Sequence, residues 1–243
     1  MAFHIEGCIL GTAVGDAIGL PFEGLSRPRA GRLFRGEIEH HFLPGRGMIS
    51  DDTEHTCMAA QALVESAGEP AAFTKALARR MKLWLLACPA GIGFATLRSL
   101  LKLSFGAPPE RSGVFSAGNG PAMRSAIIGV CYGDDDERLK ALVRASTRLT
   151  HTDPKAFHGA LIVAVAAYVA SRSAAPASDV FARRARQVLS GDGADEMARL
   201  TDAVVASCGR GESTLAFAES LGLRTGVSGY MYHTVPVALH AWL

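Results

Sequence analysis

Aromatic residues are scarce, 7% of a 243-residue chain, and strand-like alternation of apolar and polar residues is almost absent. Together these exclude a β-sandwich and leave an Ala-rich chain suited to helices. Cysteine pairing is lacking too. The five cysteines, at 8, 57, 88, 131 and 208, are odd in number and none sits at CxxC spacing, so neither a zinc ribbon nor a disulfide framework is indicated. They read as buried free thiols of a protein kept in a reducing cytoplasm. Charge of one sign is missing as well: 25 Lys and Arg against 23 Asp and Glu leave +2, so no nucleic-acid partner is expected. No stretch reaches about 18 uncharged apolar residues, and the opening Ala2-Phe3-His4-Ile5-Glu6 has no basic n-region, so neither a membrane span nor a signal peptide is expected. With 49% hydrophobic and 20% charged residues, the chain is not a disordered one.

What is present is helical periodicity from end to end, which predicts an all-α, single compact multi-helix domain over 1–243. Gly7, Gly11, Gly15 and Gly19 fall at successive i+4 positions, a stripe expected to pack tightly on a neighbouring helix. From Pro21 to Gly47 the chain is rich in Gly, Pro and Arg and reads as a long ordered loop, a length that is uncommon unless it carries function. Helices are expected at roughly 52–67, 70–87, 92–104, 120–132, 135–149, 155–172, 178–189, 194–208 and 212–222. The low-complexity connector 171–178 is too short to separate domains. The last segment, Val235 to Leu243, reads as the middle of a buried helix with no Gly stop and no basic last turn, so the chain is expected to be C-terminally incomplete.

Three clusters have the residue types for chemistry. Ser50-Asp51-Asp52-Thr53-Glu54 combines adjacent carboxylates with hydroxyls, hard oxygen donors suited to Mg²⁺ or Mn²⁺. The same residues also read as an ordinary helix start, with Asp51 as N-cap and Glu54 as its capping-box partner. A prenyl-diphosphate site with paired aspartates is a further reading, but it requires a second Asp-rich helix that the sequence lacks. Ser116-Ala117-Gly118-Asn119-Gly120-Pro121 could bring backbone N–H groups to phosphate oxygens at a helix start, or be a plain turn with Pro at the first helical position. In Thr150-His151-Thr152-Asp153-Pro154, Asp153 and Pro154 read as a cap, whereas His151 is less well explained, the ordinary alternative being a satisfied structural histidine at a helix end. Glu23, beside Pro21 and Phe22, is a lone acid whose pKa desolvation would raise; the ordinary alternative is a solvated loop glutamate.

Taken in order, Gly11 to Glu23 (GTAVGDAIGLPFE), Ser50 to Thr53, Phe115 to Arg124 (FSAGNGPAMR), Leu149 to Pro154 (LTHTDP) and Gly229 to Leu243 resemble the successive motifs of the ADP-ribosylglycohydrolase family. That family includes dinitrogenase-reductase-activating glycohydrolases and the ADP-ribosylarginine and ADP-ribosylserine hydrolases. The resemblance implies an all-helical fold holding two Mg²⁺ or Mn²⁺ ions beside the terminal ribose of ADP-ribose. It makes Ser50, Asp51 and Asp52 metal ligands, and it has Ser116, Ala117, Gly118, Asn119 and Gly120 cradle the diphosphate through backbone N–H groups. It matches Glu23 to the acid near the scissile bond and His151 to a histidine near the ligand. The implied activity is metal-dependent removal of ADP-ribose from a modified protein side chain or a small ADP-ribosyl compound, by cleavage at ribose C1″. The implied partners are ADP-ribose or an ADP-ribosylated protein, with no nucleic acid and no membrane. Family members carry a further Asp-Thr-Asp-type motif near the C-terminus. Here Asp192 to Glu196 precedes the Gly229 segment and is out of order, so a catalytically impaired ADP-ribose-binding homologue with half a metal site is the alternative.

Overall fold

The most apolar helix lies at the centre. Pro154–Ala170 (α10) is hydrophobic on nearly every face, which is the pattern of a helix surrounded by others. Asp153 caps it by accepting from the Lys155 amide at 2.9 Å, with Pro154 in the first turn. In the computed structural model, which describes residues 2–34, 36, 39–42, 45–89, 91–173, 175 and 178–243, the described residues form helices and loops, with isolated β-bridges pairing Val114 with His151 and Gly118 with Tyr230. In chain order the longer helices are α1 (Ala2–Gly19), α2 (Arg27–Leu33), α3 (Asp51–Ser66), α4 (Pro70–Leu86) and α5 (Phe94–Ser104). After the short α6 (Pro109–Ser112) and α7 (Gly120–Met123) come α8 (Ala126–Tyr132) and α9 (Asp136–Arg148). Beyond α10 follow α11 (Ser178–Val188), α12 (Ala194–Gly209), α13 (Thr214–Ser220) and α14 (Met231–Trp242). The all-α expectation is met. Around α10 pack α7, α8, α9, α11, α12 and α14, while α3 bridges α1, α4 and α8. One continuous apolar cluster, including Phe73, Leu77, Met81, Ile127, Leu142, Leu161, Val165, Phe181 and Met231, runs through these contacts.

Several sequence expectations are corrected. The stretch 120–132 is two helices, because the chain turns at Arg124 and Ser125. The supposed loop from Pro21 to Gly47 contains a 3₁₀ turn at Leu20–Phe22 and α2, whose Arg27 amide donates to Thr225 O at 2.8 Å. Part of that segment, and part of the connector 171–178, lie outside the described residues. None of the five free cysteines is fully buried, and Cys88 is exposed. The stretch His4–Phe22, 19 residues with only 11% of its apolar window buried, is long and apolar enough by length and composition to cross a membrane.

The glycine stripe of α1 does not do what its spacing suggested. A Cβ at Gly7, Gly11, Gly15 or Gly19 would meet nothing within 4 Å, so the helix packs through its other face, with Ile5, Cys8 and Ile9 against the core. Close backbone approach is needed elsewhere. A Cβ at Gly129 would land on the Ala164 carbonyl, and one at Gly159 on the Met231 side chain, so these two glycines set how near α8 and α14 come to α10. Gly129→Ala is therefore expected to lose about 1–3 kcal/mol by overpacking. Gly11→Ala, in open space, should gain up to about 1 kcal/mol through helix propensity. Urea midpoints of the two variants check this, and shifts of the same sign would refute it.

Candidate functional site

The acidic cluster is organised by a residue that sequence reasoning passed over. Asp16, buried near the end of α1, accepts from the Ser50 amide at 2.7 Å, Ser50 Oγ at 2.6 Å, the Thr53 amide at 3.1 Å and Thr53 Oγ1 at 2.5 Å. It thus caps α3 from another helix, supplying what an N-cap side chain normally provides. The expected capping box is absent. The N-cap is Ser50, which makes no side-chain capping bond of its own, and Glu54 accepts instead from Trp84 Nε1 at 2.6 Å. Asp51 and Asp52 are released from capping duty and stand half-buried in the first turn.

Glu23 joins them from the end of the 3₁₀ turn, at the exposed rim. The electrostatics are those of crowded like charges. Burial first, then Asp51, Asp16 and Glu23, push the Asp52 carboxyl up to about 7. Burial, with Asp51 and Asp16 adding to it, also raises Glu23. Asp51 is raised by burial against the lowering effect of its own amide and Ser50, with Asp16 and Glu54 adding to the rise.

The glycine loop is held from both sides. On one side Val114 pairs with the His151 turn, its amide donating to Thr150 O at 3.1 Å and its carbonyl accepting from the Thr152 amide at 2.9 Å. On the other side Gly118 pairs with Tyr230: the Asn119 amide donates to Gly229 O at 2.9 Å, and the Met231 amide to Ala117 O at 2.8 Å. This fixes the loop but spends part of the expected cradle. The Gly118 amide donates to Ser116 Oγ at 3.2 Å and the Asn119 amide is taken by Gly229, while Asn119 Nδ2 reaches Thr234 Oγ1 at 3.4 Å. Of the five predicted amides, those of Ser116, Ala117 and Gly120 make no hydrogen bond among the described residues. The following α7 is a single four-residue turn, so little helix dipole stands behind the loop.

Arg124, which carried no assigned role in the sequence, joins the two clusters. Fully buried, it donates Nε to Ser146 Oγ at 3.0 Å, Nη1 to Gly120 O at 2.9 Å, and Nη2 to Ser146 O at 2.9 Å and Thr150 Oγ1 at 2.7 Å. Its Nη1 also lies 3.4 Å from His55 Nδ1. Thr56 Oγ1 donates to Met123 O at 3.0 Å, so the first turns of α3 rest directly on α7. Burial, and then the Arg124 charge, drive His55 well below the ordinary histidine range and push His151 down to about 3. Both rings are therefore neutral at physiological pH. His151 lies under the loop, where a Cβ at Gly118 would come within 3.0 Å of its Nε2.

The family model for ADP-ribosylglycohydrolase matches residues 3–243, and the chain belongs to that family. An uncharacterised protein of Archaeoglobus fulgidus is 38% identical over 174 residues, 68% of this chain and 55% of that protein. The ADP-ribosylhydrolase ARH3 of Gallus gallus is 28% identical over 190 residues, 69% of this chain and 50% of that protein. The chain thus spans about half the length of the curated relatives it matches. A solved ADP-ribosylglycohydrolase-related protein complex superposes with a TM-score of 0.65 at 21% identity, covering 98% of this chain and 80% of that one. This last likeness shows the fold.

The raised carboxyl of Asp52 has a consequence for stability. A group that holds its proton more tightly in the folded state imposes no charge penalty below the ordinary carboxylate pKa of about 4. The penalty then grows as pH rises towards the folded value of about 7. Relative to wild type, Asp52→Asn should therefore gain stability steadily across that window and no further above it. Urea denaturation of both proteins at a series of pH values measures the difference, and a pH-independent offset would contradict the assignment.

Proposed function

We propose that this chain acts on ADP-ribosyl groups as a hydrolase of the glycosidic bond at ribose C1″. The observation that carries the reading is the convergence of Glu23, Asp51 and Asp52 into one like-charged group beside a fixed glycine loop, in a chain whose family match runs from residue 3 to 243. The loop amides of Ser116, Ala117 and Gly120, with the Arg124 cation beneath, suit the diphosphate. On this reading the acids serve the terminal ribose.

The donor set is consistent with a hard divalent cation, Mg²⁺ or Mn²⁺. The Ser50 hydroxyl donates its proton to Asp16 and keeps its lone pairs free, and the two adjacent carboxylates make no ion pair among the described residues, the Arg124 charge reaching only Asp51 and without contact. Among the described residues no group of three His, Cys, Asp or Glu side chains is gathered at ligating distance, so Ser50, Asp51 and Asp52 would hold one ion and share it with ligand oxygens. Such an ion, when bound, supplies orientation of the ribose hydroxyls and neutralisation of the carboxylates.

The protein's own part is to bind and to move a proton. Cleavage at C1″ passes through an oxocarbenium-like transition state. Glu23, raised by burial and by its acidic neighbours, is the exposed group placed to take a proton from an attacking water or to give one to the departing group. That no three His, Cys, Asp or Glu side chains gather into a ligand set among the described residues favours, as a second reading, a homologue with half a metal site that binds ADP-ribose without cleaving it.

Calorimetric titration of ADP-ribose with and without Mn²⁺, followed by assay of free ADP-ribose released from ADP-ribosylated protein, tests both. Metal-dependent binding with release is the expected result. Binding without release would replace hydrolysis by the second reading, and absence of binding to the folded protein would refute both. Glu23→Gln should reduce turnover at least about 100-fold, the scale of general acid–base catalysis, while ADP-ribose affinity stays within about twofold. Unchanged turnover would remove Glu23 from its role.

A further inference from the structure

The arrangement around Thr150 constrains a proton position. Arg124 has no acceptor lone pair, so its Nη2 donates to Thr150 Oγ1, at 2.7 Å, and Thr150 can only accept there. The same oxygen lies 2.8 Å from His151 Nδ1. The Thr150 hydroxyl proton has no other acceptor among the described residues, so satisfying it directs it to Nδ1 and leaves that nitrogen bare. We propose that Thr150 is a positioning residue that fixes His151 as the Nε2–H tautomer and aims that N–H at the glycine loop as a donor to an anionic ligand oxygen.

Three observations support this. The guanidinium is locked by its bonds to Ser146 and Gly120 O, so the oxygen it holds is equally fixed. Burial and the Arg124 charge keep the imidazole neutral, at a pKa of about 3, so one ring nitrogen and not both carries a proton. The loop is cut to the ring: a Cβ at Gly118 would lie 3.0 Å from Nε2, and one at Gly120 would lie 3.2 Å from Cε1. Nε2 makes no hydrogen bond to the described residues. A neutral donor here adds a hydrogen bond to a phosphate oxygen without bringing a second cation beside Arg124, whose field would oppose it. His55 follows the same logic. Arg124 Nη1 lies 3.4 Å from its Nδ1, so the same buried cation favours a bare Nδ1 there too.

The ligand half of this inference rests on the proposed binding of ADP-ribose; the tautomer half does not. ¹⁵N-edited NMR of the full chain should show His151 with a pyridine-type Nδ1 and a pyrrole-type Nε2. Thr150→Val keeps the shape and removes the hydroxyl. It should lose that signature and bind ADP-ribose about tenfold more weakly, and Thr150→Ser should restore both. A wild-type ring protonated on Nδ1 would overturn the proposal, with no variant required. A Thr150→Val protein that keeps the Nε2–H signature would overturn Thr150's role. A variant with an altered tautomer and unchanged affinity would overturn the donor role. Wild-type protein with the expected tautomer and no ADP-ribose binding would leave the relay standing and refute the functional reading instead.

Discussion

A guanidinium sealed in the interior without a carboxylate beside it governs this structure. Burying an unpaired charge is expensive, and it is tolerated only where hydrogen bonds replace the lost hydration. Arg124 meets that condition with two backbone carbonyls, two hydroxyl oxygens and an imidazole nitrogen, drawn from α3, α7, the end of α9 and the turn that follows it. Removing any one of these segments would leave a donor without a partner, so the cation binds together three parts of the chain that no apolar contact alone would hold in register. It also creates the electrostatic asymmetry of the site. Positive charge lies beneath the glycine loop and a crowded negative cluster lies at the start of α3, where Asp51 feels the Arg124 charge. A ligand that is anionic in the middle and rich in hydroxyls at one end matches that gradient.

Asp16 does for the acids what Arg124 does for the loop. An α-helix begins with orphan amides that an adjacent side chain usually satisfies. When the cap comes from another helix, the residues of the first turn need not turn back on the backbone and are free to face outward. Ser50 and Thr53 are turned towards Asp16, so the two residues between them, Asp51 and Asp52, are presented to the site. Two carboxylates are thereby held near a third at a helix start, where the dipole moderates their repulsion without cancelling it. The upward displacement of Asp52 records what remains.

Most of the helices were legible because their apolar spacing is regular, and the candidate site was legible because its residues fall in motifs with a familiar order. Asp16 and Arg124 were not, although both stand inside segments quoted for that order. An acid or an arginine interrupting an apolar helix is read by default as a solvated residue, and periodicity carries no information about partners that lie tens of residues away. Each did leave a trace: a single charge among Ala, Ile, Val and Gly, on a face that otherwise reads as core. The glycines misled in the opposite direction. Regular i+4 spacing in α1 suggested close packing, yet among the described residues the glycine inside a helix that meets another backbone is Gly129 in α8, far from that stripe. Spacing reports which residues share a face, and only the tertiary structure reports what that face meets.

The loop at 116–120 shows the same division between local and tertiary causes, and it decides how an anion would be held. Read locally, a Gly-Asn-Gly-Pro turn before a helix promises a row of amides backed by a helix dipole. In the folded chain α7 is too short to carry much of a dipole, and two of the five amides are consumed in fixing the loop to Ser116 and Gly229. What remains is a rigid strip with three free amides above a buried cation and a neutral histidine. On the proposed function, rigidity and a fixed charge substitute for the missing helix: the loop would not need to reorganise around a phosphate, and the field favouring an anion is already in place.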